Sequence, residues 1–270
     1  MKFAICNEIF EEWVIDDSIK FVAETGYDAI EIAPFTLAQY VTEVPVAERY
    51  RIRDIAADNG IVISAVHWVL IKTEGLYMTH TDPAVRRKTA DYFCELVRFC
   101  ADLGGEVIVV GSPKQRNLLP GVNFEQAWKF ARETFAPSIE LAEDRGVTIC
   151  FEPLAPSETD FVNTAAKGIE FIRQFDSDAF KIILDVKAMC SDPKPIPDII
   201  RDSHPNFAYF HANDANLKGP GFGDVDFKPI FGALKEVGYD GFVSVEVFDF
   251  EEGPETIARE SLRYMREVSG

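Results

Sequence analysis

Eight short, β-branched apolar runs recur along this chain, and helical patterns lie between them. The runs are "FAIC" (3–6), "AIEI" (29–32), "IVISAV" (61–66), "VIVV" (107–110), "VTICF" (147–151), "FKIIL" (180–184), "FAYF" (207–210) and "FVSVEV" (242–247). Several are nearly all apolar rather than alternating, as expected of strands covered on both faces. In 82–103 the apolar residues Val85, Tyr92, Phe93, Leu96, Phe99, Cys100 and Leu103 follow a helical period. Asp82-Pro83 opens that segment and Gly104-Gly105 closes it. A second helix is expected over 123–145, with Pro137 kinking or splitting it. Asp226 is expected to cap a helix through Leu234, and another covers 255–268. "TGYDAIEI" (25–32) and "VGYDGFVSVE" (237–246) form a weak internal repeat: a helix-stop glycine, Tyr-Asp, then a strand. Strand–helix alternation of this kind predicts a single-domain (β/α)8 barrel over residues 1–270. An open doubly wound sheet would favour a glycine-rich loop after the first strand, and "CNEIFEEW" has no glycine.

Composition narrows the partners. Lys and Arg number 27 against 45 Asp and Glu, a net charge of −18, so the field of the molecule repels phosphate backbones and no nucleic acid partner is expected. The five scattered cysteines form no C-x-x-C pair and read as free thiols in a reducing compartment. "MKFAICNEIF" is too short in its apolar part for a signal segment, and the longest uncharged apolar stretch, 61–71, falls short of the roughly 20 residues of a membrane span. A cytoplasmic protein without membrane contact is expected.

In such a barrel, active residues cluster where the strands end. Strand 1 ends at Asn7-Glu8, strand 2 contains Glu31, strand 3 ends at His67-Trp68, and strand 4 ends at Gly111-Ser112, followed by Lys114 and Arg116. Strands 5 to 8 end at Glu152, Asp185, His211 and Glu246. Three carboxylates meeting in a half-buried mouth would repel one another unless a cation neutralised them. Three hard oxygen donors and one imidazole suit one divalent ion, Mn, Mg, Co or Zn. The glycines of "FHANDANLKGPGFGDVDF" (210–227) would let the next loop fold over the mouth.

"CFEPL" (150–154), "ILDVKAM" (183–189), "FHANDANLKGPGFGDVDF" and "GFVSVEVF" (241–248) make the chain resemble the xylose-isomerase-like superfamily of sugar isomerases and epimerases. That group includes ketose 3-epimerases, hydroxypyruvate isomerase, inosose-processing enzymes and apurinic endonucleases. The resemblance implies that Glu152, Asp185, His211 and Glu246 hold one metal ion and that Glu152 and Glu246 move protons. Two positions depart from the ketose 3-epimerase pattern: Ala188 stands where a His is usual, and Leu217 where an Arg is usual. Both fall on substrate contacts and put a plain ketohexose in question. The endonucleases use a His-rich three-metal site; here "GDVDF" replaces the needed D-x-H pair, which with the acidic charge argues against DNA repair.

Other residues carry weaker readings. His67 and Trp68 either bind substrate, as an acid or a stacking platform, or hold a hydrogen-bonded place at the rim. Lys114 and Arg116 either grip an anionic substrate or belong to a solvated loop. Lys187 binds a substrate oxygen or pairs with a surface acid. Asp224 and Asp226 serve the turn and the helix cap, and His80 and His204 stand outside the site.

The expected activity is isomerisation or epimerisation of a small ketose or keto-sugar, by proton abstraction through a metal-stabilised enediolate. A lyase or dehydratase on a keto-sugar, inosose or 3-keto-glycoside would use the same machinery. A non-catalytic sugar-binding barrel is the rival from another class. The partner is a small sugar; self-association into a homo-oligomer stays open.

Overall fold

Each of the eight apolar runs is a strand. The computed structural model describes residues 1–270. The strands are β1 (Lys2–Cys6), β2 (Ala29–Ile32), β3 (Val62–Val66), β4 (Val107–Val110), β5 (Thr148–Phe151), β6 (Phe180–Asp185), β7 (Phe207–Ala212) and β8 (Phe242–Val245). All neighbours pair in parallel in chain order, and β8 pairs back to β1, closing a barrel without an edge. The helices are α1 (Ile15–Thr25), α2 (Val46–Asp58), α3 (Pro83–Asp102), α4 (Phe124–Arg145), α5 (Ala165–Ile172), α6 (Val186–Met189), α7 (Ile196–Ser203), α8 (Phe227–Glu236) and α9 (Pro254–Ser269). No helix is long and apolar enough to cross a membrane.

The caps follow the sequence. Asp82 accepts the Ala84 N–H at 2.8 Å with Pro83 behind it, and Asp226 accepts the Lys228 N–H at 3.0 Å. Asn123 and Gln126 cap α4 reciprocally. Gly26 ends α1 at φ 101°, a conformation that favours glycine. Pro137 does not split α4, which runs unbroken from Phe124 to Arg145. Proline removes one backbone donor, but Phe135 and Ile139 on either side of it are buried in the core and hold the helix to the barrel.

The main core lies between the barrel wall and the helices. Phe135 sits at its centre, 4.9 Å from the ring of Phe93 and 5.2 Å from Phe180, with Phe151 and Phe171 close by. A smaller apolar cluster of Ala65, Val107, Val109, Cys150, Ile183 and Tyr209 packs apart from it, along strands β3 to β7.

Candidate active site

Side chains two apart on a strand share a face. Two residues beyond Cys150, Ile183 and Tyr209 come Glu152, Asp185 and His211, and Glu246 follows Ser244 on β8. Strand periodicity therefore carries the inner layer upward into the site. The donor atoms of Glu152, Asp185, His211 and Glu246 all lie within 4.8 Å of one another, and all four residues are buried. Glycine at 111 makes this packing fit. A Cβ there would stand 1.8 Å from Oε2 of Glu152.

His211 is held from behind. Its Nε2 lies 3.1 Å from Glu31 Oε1, and Glu31 also accepts from the Tyr209 hydroxyl at 3.0 Å and the Cys6 thiol at 3.3 Å. A proton on Nε2 leaves Nδ1 as the free donor. Nδ1 is buried, lies 3.1 Å from Glu246 Oε2, and is not aligned for a hydrogen bond with it. The four donor atoms thus gather in one small volume. Asn213 spans the carboxylates, donating to Asp185 Oδ2 at 2.6 Å and Glu246 Oε2 at 3.4 Å. Asp185 Oδ1 accepts the Ala188 N–H at 2.6 Å and caps α6.

Electrostatics separate the carboxylates. Burial, with repulsion from Glu246 and Asp185, pushes Glu152 up to about 8. Burial also raises Asp185, with Glu246 adding to it. Burial would raise Glu246 as well, but the His211 imidazole at its side outweighs that and lowers it. Glu31 is likewise buried, yet His211 and His67 bring it down to about 2. Burial opposes the charge on His211, and Glu246 and Glu31 overcome it, so its pKa is raised well above the ordinary value.

Above the cluster opens a cleft of about 350 Å³. Its lining includes Trp68, Lys72, Lys114, Glu158, Lys187 and Phe248 beside Glu152 and Glu246. Lys187 donates to Glu158 at 2.8 Å. Trp68 has φ 51°, unusual for a bulky residue, and its indole N–H donates to Glu246 Oε1 at 2.7 Å.

With this geometry the comparisons agree. The Xylose isomerase-like TIM barrel family matches residues 19–268. The chain belongs to that family. It is 30% identical over 247 residues to a D-psicose 3-epimerase of Agrobacterium fabrum, covering 88% of this chain and 83% of that protein. It is 23% identical over 277 residues to the 3-dehydro-D-guloside 4-epimerase of Escherichia coli, covering 98% and 99%. A D-psicose 3-epimerase structure determined in the presence of D-fructose superposes with a TM-score of 0.87 at 25% identity, covering 100% of both chains. The chain is an enzyme of the isomerase class, an epimerase.

Within this family member, two of the residues expected at the substrate lie elsewhere. His67 is fully buried beneath the mouth, with Nε2 2.9 Å from Glu8 and Nδ1 3.5 Å from Glu31. It follows β3 and is buried between these two carboxylates rather than in the lining of the cleft. Arg116 is also fully buried and does not line the cleft. It donates to the Glu152 carbonyl at 2.7 Å and lies over the Phe151 ring, 4.9 Å from its centre. Lys114 and Lys187 do reach the cleft. The Trp68 ring stacks on both Phe35 and Phe248, each at 5.8 Å and 25°, and its residue lines the cleft. Sequence reading passed over Asn213 and Glu158, and gave Glu8 and Glu31 no role. The position of Glu31 inside β2 was the one available signal, because a charge inside an apolar strand needs a partner.

Proposed function

We propose that this enzyme epimerises a ketose or keto-sugar, using one divalent ion held by Glu152, Asp185, His211 and Glu246. The observation that carries the reading is two carboxylates, Glu152 and Glu246, from β5 and β8, converging with a third carboxylate and an unpaired imidazole nitrogen. Three oxygens and one nitrogen fit Mn, Mg, Co or Zn. When bound, such an ion polarises the substrate carbonyl and acidifies the neighbouring C–H. Glu152 or Glu246 takes that proton, and the other carboxylate returns one to the opposite face. Asn213 donates to both the Asp185 and the Glu246 carboxylate and eases their mutual repulsion. The relatives named for D-psicose and L-ribulose support a free ketose as substrate.

A keto-glycoside is the second reading. One relative is named for a dehydro-guloside, and the cleft, at about 350 Å³, is of the size usual for small-molecule sites. Loss of a β-substituent from the same anion would make the product an elimination product.

The test is turnover of a panel of ketoses and keto-glycosides in deuterated water with Mn²⁺. Deuterium should enter the carbon next to the carbonyl. Glu152→Gln and Glu246→Gln should each lose about 10²–10⁴-fold in turnover. Product formed by the wild type without solvent deuterium would overturn the reading in favour of a hydride shift.

A further inference from the structure

Five side chains from four loops stack in one row along the cleft wall. Lys72 Nζ lies 4.3 Å from the Phe35 ring centre, Phe35 stacks on Trp68 at 5.8 Å and 25°, and Trp68 stacks on Phe248 at 5.8 Å and 25°. Lys187 Nζ lies over Phe248, 4.0 Å from its ring centre. Each phenyl ring therefore meets both a cation and the indole, contacts that are attractive in kind. The row joins the loops after β2, β3, β6 and β8, which lie on different sides of the mouth. Two carboxylates are tied to it: Glu246 by the Trp68 N–H at 2.7 Å and Glu158 by Lys187 at 2.8 Å.

We propose that Trp68 is a positioning residue for Glu246, with the stacked row as the brace that sets its indole N–H. Glu246 divides its oxygens: Oε1 takes the Trp68 N–H, while Oε2 faces His211 Nδ1 and Asn213. A carboxylate on a flexible side chain would otherwise rotate about its terminal torsion, which is broad and roughly two-fold. The indole is held against such a rotation by its two stacking partners, Phe35 and Phe248, and by a backbone at φ 51°. The left-handed backbone turns the side chain from the end of β3 across the mouth to β8, a sparsely populated conformation kept where the surroundings impose it. Trp68 thus fixes which oxygen of Glu246 meets the substrate and at what angle.

This inference rests on the reading of Glu246 as one of two proton-moving carboxylates, and the experiment separates the two. Trp68→Phe keeps a ring in the row and removes the donor. Hydrogen–deuterium exchange at the reacting carbon is measured from each epimer in the wild type, Glu152→Gln, Glu246→Gln and Trp68→Phe. Mn²⁺ affinity is measured by calorimetry on protein stripped of metal. Trp68→Phe should lose about 10–100-fold in kcat, the cost usual for a partner of a metal-bound ligand, with KM within about threefold. Its exchange should slow chiefly for the epimer that Glu246→Gln fails to exchange, and its Mn²⁺ affinity should fall. Phe248→Leu, which keeps the indole and loosens the clamp, should show the same epimer preference more weakly. If both Glu→Gln variants turn over like the wild type, the catalytic reading itself fails. If they are impaired but Trp68→Phe exchanges both epimers at wild-type rates, or slows both equally and leaves Mn²⁺ affinity unchanged, the positioning role is wrong. Failure of Trp68→Phe to fold leaves the decision to Phe248→Leu, whose equal effect on both epimers would likewise overturn it.

Discussion

Single atoms decide much at this site. Gly111 has no Cβ, and the carboxylate of Glu152 occupies the space a Cβ would need, 1.8 Å from Oε2. Gly111→Ala should push Glu152 out of the cluster, cutting turnover about as far as loss of a general base, 10²–10⁴-fold. Circular dichroism should stay near that of the wild type. Retained activity in that variant would show that Glu152 can work from another rotamer. His211 supplies the one nitrogen among the four donors, and its Nδ1 has no hydrogen-bond partner of its own. Metal analysis of purified protein should find one divalent ion per chain, and His211→Ala should strip it. Two or three ions per chain at full occupancy would instead place donors such as Glu8 and His67 in a second centre.

Elements here respond to packing more than to propensity. α4 keeps Pro137 in its interior because the residues flanking it are buried against the barrel. α8 shows the converse: Gly232 lies in its interior with nothing within 4 Å of an added Cβ. Gly232→Ala should therefore stabilise the protein by about 0.5–1 kcal/mol, the helix penalty of glycine relative to alanine. Urea titration checks this, and a lowered midpoint would mean that the site is more crowded than its geometry shows.

At the scale of the whole molecule, the barrel gathers more acid at its mouth than its own cations balance. The pH dependence of the stripped protein follows from the sign of each shift. Glu152 keeps its proton in the fold to about 8, while an unfolded chain loses it near 4.5, so this group destabilises the fold progressively as pH rises between those values. His211 and His67 are raised, so the stability they contribute is present below 6.5 and is lost as pH rises through their folded values. Glu246 and Glu31 are lowered, so theirs is present above 4.5 and is lost on acidification. The melting temperature in chelator should therefore peak at mildly acidic pH and fall toward pH 8. Mn²⁺ should raise it most at the alkaline end, because the ion replaces protons and binds the folded state. A flat or rising profile in chelator between pH 5 and pH 8 would contradict this charge distribution.

The barrel was legible in the sequence because its signals are local. A strand covered on both faces must be apolar along its length, and a helix must place its caps within a few residues of its own ends, as Asp82, Asn123 and Asp226 do. Glu152, Asp185, His211 and Glu246 were legible for the same reason, since each ends its own strand. What surrounds them was not. The Trp68–Glu246 hydrogen bond joins residues 178 positions apart, and the His211–Glu31 pair joins residues 180 apart. Trp68 reaches Glu246 only through a left-handed backbone that no local preference of tryptophan predicts. Arg116 and His67 stood near the right strand ends, but the fold buried both, His67 between Glu8 and Glu31 and Arg116 over Phe151. Sequence alone set the periodicity of the strands and so the inward face of each. Only the tertiary structure decided which inward groups meet, because that depends on the stagger between strands and on which loops pack across the mouth.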